Sequence, residues 1–152
     1  YTFAVGEITS DVQQLLKVTK ESLYLGIEQA VAGKHLGDIG YAVQTHCQQY
    51  GYGVVRELTG HGIGRAMHED PPVRNYGCRG SGILLKEGMC LAIEPMITMG
   101  DRQIGLLPDK WSIVTRDRQP AAHFEHTIVV RKGKAEILSS FVEVEHLEGQ
   151  KI

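Results

Sequence analysis

The chain has 152 residues, enough for one domain, and its 42% hydrophobic content excludes a disordered chain. Sixteen lysines and arginines against 18 aspartates and glutamates leave a formal charge of −2, so no phosphate-binding surface and no direct nucleic-acid binding are expected. No apolar run reaches the roughly 18 residues of a membrane helix, and three cysteines without a CxxC pair (Cys47, Cys78, Cys90) fit reduced thiols in the cytoplasm.

In chain order, Tyr1–Val5 (YTFAV) reads as the middle of a strand with no turn signal before it, so an upstream segment is expected. Gly6 then turns the chain, and Thr9 or Ser10 can cap a helix with Asp11 in its first turn. Apolar residues at three- and four-residue spacing, from Val12 through Leu15, Leu23 and Ile27 to Val31, predict that this helix runs from Asp11 to about Ala32, where Gly33 can stop it. A second helix is predicted over Leu36–Tyr50. Beyond Tyr52 the period shortens and glycine and proline become frequent. Strands are predicted at Val54–Val55, Met89–Thr98, Trp111–Thr115, Phe124–Val130 and Ala135–Leu138. Their linkers are too short for helical crossovers, so the sheet should be largely antiparallel and the fold class α+β.

Two of these strands carry a carboxylate in an apolar run: Glu94 in CLAIEPMI and Glu125 in HFEHTIVV. Buried there, an ionised carboxylate is costly unless a cation, hydrogen bonds or a metal compensates it, and strand alternation can instead set both on a solvated face. Pro95 points to an edge or bulged position that aims a side chain into a site. In Thr59-Gly60-His61-Gly62-Ile63-Gly64, glycines flank a histidine, which suits close backbone approach or a tight turn with a projecting imidazole. His68 follows in MHEDPP. Taken alone, His68 reads as a satisfied or solvent-facing histidine. His61, His68, Glu94 and Glu125 nevertheless form one constellation, in which one imidazole and two carboxylates suit a divalent ion such as Mn(II), Fe(II), Co(II) or Zn(II), with carboxylates able to bridge two ions. Neither an HExxH helix nor a GxSxG elbow is present.

In order and at matching spacing, GHGIGRAMHEDPPV, LKEGMCLAIEPMI, DKWSIVTRD and FEHTIVV closely resemble the type I methionine aminopeptidases. Prolidase-like relatives usually read EPG where this chain has Glu94-Pro95-Met96, and the type II enzymes lack the His68-Glu69-Asp70-Pro71 form. The resemblance implies a pita-bread fold of two pseudo-symmetric α+β halves around up to two divalent ions. Residues 1–140 would be the C-terminal portion of the catalytic domain, and 141–152 an acidic tail or edge strand. His61, Glu94 and Glu125 match metal ligands, and Glu94 also matches the group that activates water. His68 matches the histidine at the scissile amide, while Trp111 and Met67 match positions of the methionine pocket. The implied reaction is removal of the N-terminal methionine from nascent polypeptides, at the ribosome, when the second residue is small.

The family's two aspartate ligands precede the segment matching Thr2-Phe3-Ala4-Val5-Gly6, so the chain alone is expected to be weakly active or inactive. Its expected partner is an N-terminal half of the same fold, and without one an exposed strand edge and apolar inner face favour self-association. His123 stands where the family commonly has glutamine, which bears on tuning of the metal. A catalytically dead pita-bread binding module and an Xaa-Pro aminopeptidase-like enzyme are the alternatives. Retention of His61, His68, Glu94 and Glu125 argues against the first, and Trp111 with Glu94-Pro95-Met96 against the second.

Overall fold

A computed structural model describes residues 1–148. Its first helix, α1 (Ser10–Ile27), starts at Thr9, whose side chain accepts a hydrogen bond from the Val12 N–H. It ends before the predicted Ala32 because the apolar pattern changes purpose. Ala30 and Val31 are buried beyond the helix, where Val31 bridges Arg131 and the Ala32 N–H donates to the Arg131 carbonyl at 3.0 Å. Helix α2 (Leu36–Gln48) begins where predicted. There the Asp38 carboxylate accepts from the His35 N–H at 2.8 Å and, with its other oxygen, from the Gly80 N–H at 2.8 Å. Those two backbone donors hold the Asp38 carboxyl below the usual aspartate range.

Ten short strands follow, and every strand pairing is antiparallel. They are β1 (Gly53–Val54), β2 (Gly60–Gly62), β3 (Glu69–Val73), β4 (Cys90–Ile93), β5 (Met96–Thr98), β6 (Ile104–Leu106), β7 (Ile113–Thr115), β8 (Ala121–His123), β9 (His126–Val129) and β10 (Glu136–Ile137). One sheet runs β10-β9-β4-β2-β3, a second β1-β5-β8, and β6 pairs only with β7. Both helices pack on the sheets, where Leu15, Leu23, Ile39, Val43, Ile93, Ile97, Phe124 and Ile128 form the core. At Gly26 the layers come close: a Cβ there would lie 3.0 Å from Val43 Cγ2 and 3.6 Å from Ile93 Cγ2.

Three expectations are corrected. Residues 1–5 form no strand: Phe3 and Val5 are exposed, and the segment is tied to the edge of β8 by a side chain. Thr2 Oγ1 donates to the His123 carbonyl at 2.8 Å and accepts from the His123 N–H at 2.9 Å. Of the two forms expected for the GHG segment the tight turn is set aside: it is a strand, with neighbouring backbones pressed on both its glycines. An added Cβ would strike the Ala92 carbonyl oxygen at Gly60 and the Asp70 carbonyl oxygen at Gly62. Residues 142–148, expected as tail or edge strand, form helix α3 (Val142–Glu148), with Glu143 and Glu145 at its positive end. Phe141 stacks on His126 (centroids 3.8 Å apart) and meets Tyr1 edge-on at 4.8 Å, while Lys20 Nζ lies 2.5 Å from Glu145 Oε1. Residues 149–152, the end of that expected tail, lie outside the described residues.

Two stability measurements check this account. Asp38→Ala should cost about 1 kcal/mol in denaturant melts at neutral pH, as loss of a helix-start acceptor does. A carboxyl whose folded pKa is depressed stabilises above its unfolded pKa and loses that effect as pH falls through the folded value. The gap between parent and variant should therefore narrow below about pH 4. Gly62→Ala should cost about 2 kcal/mol through overpacking against a backbone oxygen. Gly105→Ala, where the nearest atom to a Cβ is Arg116 Cγ at 3.8 Å, should stay within about 0.5 kcal/mol.

Candidate metal centre

The strand pair β4–β9 ends at Ile93↔His126, and the pair β5–β8 resumes at Met96↔His123 in the same register. Between them lie Glu94-Pro95 on one chain and Phe124-Glu125 on the other. Pro95 has no N–H to give to a ladder, and the Pro95 carbonyl accepts from the Phe124 N–H at 3.4 Å. The unbroken register sets Glu94 opposite Glu125. The sequence predicts Met89–Thr98 as one continuous strand, which is interrupted at Glu94-Pro95, and starts a second strand at Phe124, whereas Phe124 and Glu125 lie in the gap between β8 and β9. The proline signal for an edge is also corrected, since β4 and β5 are each flanked on both sides.

On β2, His61 pairs with Ala92, two residues before Glu94 and opposite Thr127, two residues after Glu125. The two-residue period of a strand then puts His61, Glu94 and Glu125 on one face. Donor atoms of these three side chains all lie within 4.8 Å of one another, and all three residues are partly buried. Elsewhere among the described residues no other such group of three occurs.

The hydrogen-bond pattern prepares this cluster for a cation. His61 Nδ1 lies 2.9 Å from the Gly62 carbonyl oxygen, an acceptor only, so Nδ1 carries the proton and Nε2 presents a lone pair. That lone pair faces Glu94 Oε1 at 3.6 Å. Two electron-rich atoms at this separation, with a second carboxylate beside them, attract a positive charge to the space between them. The donor set of one imidazole and two carboxylates suits a borderline or hard divalent ion.

Three other residues shape the surroundings. His68, in the loop between β2 and β3, is exposed and places its ring 4.2 Å from that of His61. Both histidines line an open hollow of about 530 Å³ with Glu69, Asp70 and Pro72. Asn75, fully buried, donates through Nδ2 to the Glu94 carbonyl at 3.0 Å, supplying a partner where the ladder is broken. Its Oδ1 has no hydrogen-bond partner among the described residues. Asn75 was not legible in sequence, since it stands in no motif and its partner is 19 residues away. His123 Nε2 lies 3.3 Å from Glu94 Oε2. The structure does not bring Met67 and Trp111 to the cluster as packed walls: they are 74% and 86% exposed.

Known proteins resemble this chain over most of its length. Residues 1–132 match the model of metallopeptidase family M24. The chain is 48% identical over 138 residues to a methionine aminopeptidase of Clostridium acetobutylicum, covering 91% of this chain and 55% of that protein. It is 45% identical over 139 residues to methionine aminopeptidase 1 of Bacillus subtilis, covering 91% and 56%. The crystal structure of a Thermotoga maritima methionine aminopeptidase superposes with a TM-score of 0.87 at 43% identity, over 90% of this chain and 55% of that one. A prolidase from Pyrococcus furiosus shares the fold alone, with a TM-score of 0.70 at 22% identity over 91% of this chain and 35% of that one. The chain spans about half the length of the curated relatives it matches. No helix among the described residues is long and apolar enough to cross a membrane. With its α+β pita-bread architecture and an imidazole–carboxylate cluster on one sheet face, the chain belongs to metallopeptidase family M24.

Proposed function

We propose that the whole protein removes the N-terminal methionine from nascent polypeptides whose second residue is small, in the cytoplasm and at the ribosome. The observation that carries this reading is the meeting of His61, Glu94 and Glu125 within 4.8 Å, with His68 against His61, in a chain so similar to methionine aminopeptidases. His61 Nε2, Glu94 and Glu125 would hold one or two divalent ions, drawn from Co(II), Mn(II), Fe(II) and Zn(II). Three donors leave coordination positions for water, substrate or further ligands.

A divalent ion bound there supplies Lewis-acid polarisation of the scissile carbonyl and a lowered pKa for the attacking water. Glu94 would accept a proton from the attacking water and pass it toward the leaving amine. His68, exposed on the hollow, donates a hydrogen bond where negative charge develops on the carbonyl oxygen. Glu125, opposite Glu94, keeps the cluster anionic while Glu94 is protonated. Met67 and Trp111 present apolar surface for the methionine side chain, and their exposure fits groups that become covered on substrate binding.

In the full-length protein, Glu94→Gln should lower kcat by about 10²–10⁴-fold, the usual contribution of a general base. His68→Ala should lower kcat by about 10²–10³-fold while metal content stays at the parent level. Loss of metal from the His68 variant would instead make it a ligand. Chelation should abolish methionine release and a divalent ion should restore it. Turnover that survives complete metal removal, checked by elemental analysis, would overturn the reading.

A further inference from the structure

The two oxygens of the Glu94 carboxylate each meet an imidazole, and the two imidazoles arrive with different roles. Oε1 faces His61 Nε2 at 3.6 Å, and that nitrogen presents a lone pair because His61 Nδ1 is committed to the Gly62 carbonyl. Oε2 faces His123 Nε2 at 3.3 Å. This second nitrogen is shielded from solvent and has no aligned hydrogen-bond partner among the described residues, so Glu94 Oε2 is the acceptor within its reach. The His123 ring as a whole is 42% exposed, so only its Nε2 end is enclosed.

The backbone beneath His123 is fixed from both sides. Met96 is its register partner on β5, and Thr2 Oγ1 satisfies both its N–H and its C=O along the outer edge of β8. His123 lies two residues before Glu125, so strand alternation sends both side chains to the same face. From these contacts we infer that His123 is a positioning residue for Glu94. With the site loaded, its Nε2–H would align on Oε2, 3.3 Å away, and hold Oε1, with its lone pairs free, toward His61 and the cation space. Asn75 holds the carbonyl of the same glutamate, so Glu94 is gripped at both main chain and carboxylate. A carboxylate ligand held by a donor on its far oxygen keeps one coordinating geometry, and loss of such a partner commonly weakens metal binding by about 10–100-fold. This inference rests on the metal-centre reading above.

The test is Co(II) binding to the full-length protein, by calorimetry and by the visible absorption of the bound ion, together with melting of the metal-free protein. His123→Ala should weaken Co(II) binding by at least about 10-fold and change the absorption envelope, with little change in the metal-free melting temperature. His123→Gln, whose side-chain amide also offers an N–H, should bring affinity back to within about threefold of the parent. Parent-like affinity and absorption in His123→Ala would overturn the inference, and so would His123→Gln falling as far as His123→Ala. His123→Leu fills the space without a donor; if it and the Ala variant both fail to fold, His123 is structural and the inference is likewise overturned. His61→Ala run alongside separates the two levels. Loss of Co(II) there with none in His123→Ala overturns only this inference, whereas loss in neither overturns the metal-centre reading.

Discussion

Two carboxylates set opposite each other across paired strands repel, and partial burial strengthens that repulsion. The surrounding structure makes sense as the means of tolerating this pair. The ladder opens for two residues on each strand, with Pro95 in the gap, so the chain need not satisfy regular pairing where the side chains converge. His61 enters from the neighbouring strand with an oriented lone pair rather than a proton, which leaves the cluster's negative potential uncancelled. A divalent ion answers that potential better than a single ion pair could, since it satisfies three donors at once.

The glycines beside His61 belong to the same constraint. To bring its imidazole to the carboxylates, β2 lies so close to β3 and β4 that carbonyl oxygens occupy the places where side chains would begin. Side-chain volume at those positions is given up for proximity. Asn75 plays the complementary part, because a broken ladder leaves the Glu94 carbonyl without a backbone partner and a buried amide fills the vacancy.

Much of this was legible in the sequence. Helical periodicity placed α1 and α2, and the carboxylates in apolar runs marked the cluster before any geometry was known, because buried charge needs a reason. What remained hidden depended on long-range pairing. Ala30 and Val31 continue the apolar spacing of α1, yet they serve a bridge to Arg131, distant in sequence. Strands as short as β2, β6 and β8 show too few residues for a period to appear. The acidic end carried no strong periodicity, and its helix is held by Phe141 on His126 and by Lys20 on Glu145 rather than by propensity. Thr2 acts through two hydrogen bonds to His123 and Asn75 through one to Glu94, partners distant in sequence that local pattern cannot reveal.

The five-stranded sheet is also terminated with care. One outer strand, β3, contains Pro71 and Pro72, two consecutive residues with no N–H to offer an incoming strand. The other, β10, is two residues long, too brief to template a partner. Growth of this sheet by strand addition is thus blocked at both margins. A chain that meets the five-stranded sheet at either of these two margins is therefore held by side chains rather than by backbone pairing.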